Sequence, residues 1–121
     1  MNNEAQAVRV TAPASKSLSH RAFTGAALAK GTSRVTSALD SVDLDMTRGI
    51  LAACGAEIVK NGPGDYTVTG VAGVPQGGTT EPVSLDVHES GTTCRLLTGV
   101  VAGGKGSFYI HGAPRMHERP M

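Results

Sequence analysis

The stretch Ser15-Lys16-Ser17-Leu18-Ser19-His20-Arg21-Ala22-Phe23-Thr24-Gly25-Ala26-Ala27-Leu28-Ala29-Lys30-Gly31-Thr32-Ser33 decides how the chain folds. Leu18, Ala22, Phe23, Ala26 and Ala27 recur at helical spacing, which predicts a helix over Ser17–Ala29, with Gly31 as its stop. Just before it, Val8 to Ala12 alternates apolar and polar residues and reads as a strand ended by Pro13. Just after it, Thr32–Ser37 reads as a second strand. The unit then returns. Moved along by 74 positions, Arg21 falls on Arg95, Thr24 on Thr98, Gly25 on Gly99 and Ser33 on Ser107, with the same order of strand, loop, helix, glycine and strand.

Between the copies, Leu44–Cys54 is helical by the spacing of Ile50, Leu51 and Cys54, with Gly55 as its stop. Ala56–Lys60 and Tyr66–Thr69 form a hairpin around Asn61-Gly62-Pro63-Gly64. The first unit is therefore βαβαββ and the fold class α/β (α+β). After a glycine-rich loop, Gly70 to Pro82, the second copy supplies a strand at Ser84–Val87, a helix at Thr92–Ala102 and a strand at Ser107–His111. It stops at Met121, where its second helix should begin, so the chain is expected to be part of a longer protein. A half-finished unit leaves apolar faces uncovered, and such a piece is expected to be marginal or to self-associate.

Composition narrows the function. Of 121 residues, 40% are hydrophobic, enough for a core, while the net charge of +1 provides no basic field for nucleic acid. Phe23, Phe108, Tyr66 and Tyr109 are the whole aromatic set, too few for a base-stacking platform. Cys54 and Cys94 lie in apolar helical contexts, as reduced core thiols do. No apolar run reaches membrane-spanning length, and Met1–Ala7 lacks the pattern of a signal peptide, so the expected location is the cytoplasm. The histidines form no HExxH and the cysteines no CxxC, so no metal site is expected.

Three segments can carry chemistry. In Pro13–Arg21 a strand ends, a loop turns and a helix begins, so the unpaired N–H groups of its first turn attract an anion. Lys16 adds a point charge, and Arg21 lies one helical turn after Ser17, where a guanidinium can grip a carboxylate or phosphate. The plainer reading is that Ser15 or Ser17 only caps the helix. Glu89-Ser90-Gly91-Thr92-Thr93-Cys94-Arg95 holds the same place in the second copy, and Gly91 lets a ligand approach the backbone. Here the plainer reading has Ser90 and Thr92 capping and Arg95 paired with a carboxylate. Pro114-Arg115-Met116-His117-Glu118-Arg119-Pro120 is a loop stiffened by prolines, able to present a cation or merely to hold a surface ion pair. The spacing is not that of a P-loop, so a nucleoside triphosphate is not indicated.

In that order, Pro-x-Ser-Lys-Ser-x-Ser-His-Arg, Leu39-Asp40-Ser41-x-Asp43, Ser90-Gly91-Thr92-Thr93-x-Arg95 and Gly-x-Pro-Arg-Met-x-Glu-Arg-Pro resemble the signature of the EPSP synthases, from about Val8 to the last residue. The resemblance implies two similar lobes built from βαβαββ units. Residues 1–12 would carry a strand of the C-terminal lobe, and residues 13–121 about one and a half units of the N-terminal lobe. It implies transfer of the enolpyruvyl group of phosphoenolpyruvate to the 5-hydroxyl of shikimate 3-phosphate, in aromatic amino-acid biosynthesis, by a monomeric enzyme without metal or organic cofactor. Those two small molecules are the implied partners; nucleic acid and membrane are not.

Carried over by position, Lys16 would touch both substrates, Ser17 and Arg21 would hold shikimate 3-phosphate, and Gly91 and Arg119 phosphoenolpyruvate. Glu89 and Thr92 would line the pocket. The acid–base groups of the family belong to the C-terminal lobe, so no catalytic residue is expected in this chain, which is inactive alone. Two positions depart from the family pattern: Ala14 replaces a usual glycine, and Glu89 a usual asparagine. A carboxylate at 89 repels an anionic ligand unless Arg95 or Arg119 pairs with it. Gly91, in place of a bulkier alanine, implies sensitivity to glyphosate. The related transferase acting on UDP-N-acetylglucosamine carries Lys-Asn where this chain has Lys16-Ser17. A non-catalytic anion-binding module is the alternative from another class, and an RNA-end-processing protein is disfavoured by the low basicity.

Overall fold

A computed structural model describes residues 5–121. Residues 1–4, part of the N-terminal stretch inspected for a signal peptide, lie outside the described residues. Three α-helices and five strands follow in the order α1 (Lys16–Leu28), β1 (Thr32–Val35), α2 (Val42–Ala53), β2 (Glu57–Gly62), β3 (Asp65–Thr69), β4 (Val83–Asp86), α3 (Gly91–Ala102) and β5 (Phe108–His111). A short 3-10 helix, Pro114–Glu118, follows β5 where the sequence suggested only a stiff loop. The other expected elements stand within two residues of their predicted ends, with one exception.

That exception is the strand expected at Val8–Ala12. Those residues form no regular structure, and Val8 and Val10 are 85% and 86% exposed. Alternation of side chains makes a segment fit for a sheet, but a strand exists only when a neighbour takes its backbone N–H and C=O groups. No described strand does so here.

Each helix begins where a serine hydroxyl replaces the missing backbone acceptor. Ser15 accepts from the Leu18 N–H at 3.2 Å, Ser41 from Leu44 at 3.3 Å and Ser90 from Thr93 at 3.1 Å. Asp43 and Asp45 add negative charge to the first turn of α2, which the helix dipole favours.

The three-stranded antiparallel sheet has the order β1-β3-β2. Val35 pairs with Tyr66 across β1 and β3, Ile58 with Val68 across β2 and β3, and a bulge interrupts β2 between Lys60 and Gly62. β4 and β5 pair in parallel, Leu85 opposite Ile110, as their connection through α3 requires. Helix α2 packs on α1 to one side and on α3 and β4 to the other, so the two copies of the unit meet across it.

The core is aliphatic around one aromatic pair. Phe23, Leu44, Val68, Leu85 and Leu97 are fully buried. Phe23 and Tyr66 meet edge to face with centroids 5.0 Å apart. The guanidinium of the buried Arg48 lies 5.1 Å from the Phe23 centroid and 4.5 Å from that of Tyr66, and pairs with Asp45 and Asp40. Asp40 in turn accepts from the Tyr66 hydroxyl and from the Gly64 N–H. These bonds hold its carboxyl below the usual carboxylate range, while burial and the Asp40 bond push the Tyr66 hydroxyl up to about 12. Cys54 and Cys94 are free and buried.

Phe23 touches the sheet, α2 and the Arg48 cation together. Phe23→Ala should therefore lower stability by about 3–5 kcal/mol, seen as an earlier urea midpoint or loss of the cooperative transition. A midpoint close to wild type would show that this aromatic contact does not organise the core.

Candidate functional site

The N-termini of α1 and α3 occupy equivalent places in the two copies, and the structure joins them through α2. Lys16, the first residue of α1, forms an ion pair with the Asp43 carboxylate. The backbone carbonyl of Asp43 lies 3.5 Å from the Thr93 hydroxyl, in the first turn of α3. One residue of α2 thus reaches both halves. Asp43 appears in the sequence only as part of a motif; its bridging place is a product of packing. Both Lys16 and Asp43 are partly exposed, so the pair itself adds little stability. Its effect is to hold a flexible ammonium at the head of α1.

Ser17 and Arg21 lie on the exposed side of α1, with the Arg21 Nε 3.4 Å from the Ser17 carbonyl. No carboxylate takes the Arg21 guanidinium among the described residues, which leaves its fork for an external anion.

The second half is built around Gly91, buried at the first position of α3. Ser90 caps the helix, so its side chain consumes the Thr93 N–H. Among the described residues no protein acceptor takes the Gly91 and Thr92 N–H groups, which leaves a helix N-terminus free to attract an external anion. Arg119 lies over this turn. A Cβ added at Gly91 would stand 3.0 and 3.1 Å from its two terminal nitrogens. Any side chain at 91 would thus push the guanidinium away by a few tenths of an ångström.

Arg119 reaches that place because its loop is tied down. The Ala113 N–H donates to the His88 carbonyl at 2.9 Å, and a Cβ on Gly112 would come within 2.6 Å of the same oxygen. His88 itself has a positive φ of 47°, which turns the chain between β4 and α3. Arg95 donates to the Pro120 carbonyl at 3.1 Å, so it anchors the end of the loop rather than pairing with a carboxylate. Arg119 donates to the Met116 sulfur at 3.5 Å. Neither arginine pairs with Glu89.

Glu89, Arg115, Met116 and Arg119 line an open cleft of about 350 Å³. Thr92 is exposed beside it on the same turn. Arg115, which sequence spacing placed in the loop without a role, thus contributes a second guanidinium to the cleft. Among the described residues no group of three or more His, Cys, Asp or Glu side chains is placed to hold a metal ion.

Sequence reasoning missed what lies beneath. His20 is 1% exposed, and its Nδ1 sits 2.9 Å from the Thr47 hydroxyl. Thr47 is 2.9 Å from the Thr93 hydroxyl, to which Ser90 donates at 2.6 Å. The other ring nitrogen of His20, Nε2, is buried without a partner among the described residues. In the sequence these are ordinary polar residues in helical positions; no spacing rule pairs positions 20, 47 and 93.

Repeated helix N-termini, one carrying a lysine and the other a glycine beneath an arginine, define an α/β protein segment whose free N–H groups and cations are suited to attract phosphate or carboxylate groups. Over residues 2–121 the chain matches the EPSP synthases (3-phosphoshikimate 1-carboxyvinyltransferases), and it belongs to that family. It is 42% identical over 113 residues to the 3-phosphoshikimate 1-carboxyvinyltransferase of Granulibacter bethesdensis, covering 93% of this chain and 24% of the relative. To the enzyme of the same name from Cellvibrio japonicus it is 36% identical, covering 93% of this chain and 26% of the relative. The solved EPSP synthase of Acinetobacter baumannii superposes with a TM-score of 0.81 at 32% identity, over 93% of this chain and 25% of that one. The chain therefore spans about a quarter of the length of the relatives it matches.

The buried histidine makes folding sensitive to acid. Burial holds its pKa below the ordinary 6.5; Lys16 and Arg48 act in the same sense and Asp43 opposes them. Unfolded chains bind that proton more readily than folded ones, so stability is unaffected well above 6.5 and falls as pH drops below it. Between about pH 7 and 5 the unfolding free energy should fall, by up to about 1.4 kcal/mol per pH unit from this group, and the melting midpoint should fall with it. His20→Asn should flatten that limb; an unchanged limb would show that another group titrates.

Proposed function

We propose that the protein containing this chain is a 3-phosphoshikimate 1-carboxyvinyltransferase, and that residues 13–121 are part of its N-terminal lobe. The observation that carries this reading is the placement of Arg119 over the Gly91 turn, joined through Asp43 to the lysine at the head of α1. Two anionic molecules held side by side need cations and helix N-termini on both flanks, and the two copies of the unit supply one flank each.

In this reading shikimate 3-phosphate is held by Lys16, Ser17 and Arg21, and phosphoenolpyruvate by Lys16, the Gly91 turn and Arg119. Glu89 and Thr92 border the second ligand. The 5-hydroxyl oxygen gives up its proton to a base and adds to C2 of phosphoenolpyruvate as an acid delivers a proton to C3. Loss of a proton from C3 then expels phosphate and leaves the enolpyruvyl ether. The groups of this chain bind and orient; the proton transfers fall to residues outside it, and the chain alone is inactive. In the whole enzyme Val8–Ala12, within the segment 1–12 assigned to the second lobe, would supply a strand there, which is consistent with the uncovered Val8 and Val10. The whole enzyme acts as a cytoplasmic monomer without a metal or organic cofactor. No helix among the described residues is long and apolar enough to cross a membrane.

The test uses the full-length protein. It should form the enolpyruvyl ether and phosphate from the two substrates. Arg119→Ala should raise the KM for phosphoenolpyruvate about 10- to 100-fold, the loss expected for a charged hydrogen-bond donor, and change that for shikimate 3-phosphate far less. An anion-binding module would bind phosphate without turnover, and equal losses for both substrates would remove Arg119 from the assigned place.

Gly91→Ala supplies a second test. The added methyl displaces the Arg119 guanidinium, so it should weaken phosphoenolpyruvate and glyphosate, with the wild-type enzyme inhibited at low glyphosate. Full turnover of wild type at inhibitory glyphosate levels would contradict the assignment of this turn.

A further inference from the structure

The assigned binding groups lie on the opening turns of α1 and α3 and on the loop that carries Arg119. Directly behind them, the side chains of His20, Thr47, Thr93 and Ser90 form an unbroken buried line through α1, α2 and the start of α3. All four are at least nine-tenths buried. We propose that this line is a positioning device: it fixes the first turn of α3, and hence the Gly91 and Thr92 N–H groups, against α1, and so sets the affinity for the anion held at that turn. The inference rests on the functional reading above.

A hydroxyl chain of this kind is directional. Each hydroxyl has one hydrogen, so once Ser90 donates to Thr93, each downstream member has a restricted choice. Thr93 can donate to Thr47, which then donates to the His20 Nδ1, and the imidazole carries its hydrogen on Nε2. Alternatively the His20 Nδ1–H donates to Thr47, Thr47 to Thr93, and Thr93 to the Asp43 carbonyl at 3.5 Å. The first arrangement needs a neutral imidazole, since its Nδ1 accepts, and burial favours the neutral ring in either one. The charges near it agree with this: Lys16 on α1 and Arg48 on α2 oppose a further positive charge, and only Asp43 favours one.

Packing alone does not require this chemistry. Aliphatic side chains of the same volume would fill the space between three helices without the desolvation cost of four polar groups. Polar groups here serve direction. Leucines permit helices to slide, whereas a run of short hydrogen bonds holds one relative placement. The line ends at Ser90, the residue that caps α3 and precedes Gly91. A shift of α3 would therefore move the turn beneath Arg119. Thr47 and Thr93 are positioning residues, and His20 is the fixed end of the line.

The experiment compares Thr47→Val with Thr47→Ser in the full-length protein. Valine keeps the volume and removes the hydroxyl; serine keeps the hydroxyl and removes the methyl. Thr47→Val should weaken phosphoenolpyruvate, measured with shikimate 3-phosphate bound, by about tenfold, the loss for a broken buried hydrogen bond. Thr47→Ser should stay within about twofold of wild type, and shikimate 3-phosphate alone should bind both variants nearly as well as wild type. Amide exchange at residues 91–95 should be faster in Thr47→Val and unchanged in Thr47→Ser. If valine at 47 prevents folding, His20→Leu and His20→Asn make the same comparison, since asparagine can still meet the Thr47 hydroxyl. Equal behaviour of the two variants in affinity and exchange overturns the inference. A wild type that binds no phosphoenolpyruvate instead overturns the functional reading, and the exchange comparison still decides whether the line holds α3.

Discussion

Thr47 is completely buried in the middle of α2, and its hydroxyl touches both neighbouring helices. Most of what matters in this molecule depends on that packing of α2 between α1 and α3. The helix carries Leu44 and Leu51 into the common core, Arg48 onto the rings of Phe23 and Tyr66, and Asp43 to the rim where Lys16 stands. Its contacts with α1, α3 and β4 join the two copies of the repeated unit. A single helix thus provides the apolar glue and the polar registration at once, which is why both helix N-termini contact the same residue, Asp43, one through its carboxylate and the other through its backbone carbonyl.

Arg48 and His20 show two ways to bury a polar ring or cation. Arg48 lies between two aromatic faces and reaches the carboxylates of Asp40 and Asp45, so its charge is matched. His20 has no carboxylate in hydrogen-bond contact and remains uncharged, with a hydroxyl on one nitrogen. The first arrangement fixes the sheet to the helices. The second lies next to the N-termini of α1 and α3, where an extra positive charge would act on Lys16.

Gly91 and Gly112 are both places where a side chain would collide, one with the Arg119 guanidinium and the other with the His88 carbonyl. These two close approaches bring a loop at the end of the chain onto a turn formed about twenty-five residues earlier. The cleft beneath Arg119 contains a carboxylate, Glu89, that neither Arg95 nor Arg119 neutralises. A ligand with more than one negative charge meets two guanidiniums there and one opposing group.

The helices, the hairpin and the repeat could be read from the sequence because their causes are local: the spacing of Leu18, Ala22, Phe23, Ala26 and Ala27, the serine caps, and the Pro63-Gly64 turn. The two anion-attracting turns were equally legible, since a serine cap followed by free N–H groups is a property of a few consecutive residues. Three things only the tertiary structure decided. Asp43 became a bridge, Arg119 came to lie over Gly91, and His20, Thr47 and Thr93 met in the core. Each depends on how far one element is displaced against another, and no spacing along the chain encodes that distance. The strand expected at Val8–Ala12 marks the same boundary from the other side: alternation made it fit for a sheet, but the hydrogen bonds that make a strand belong to a partner.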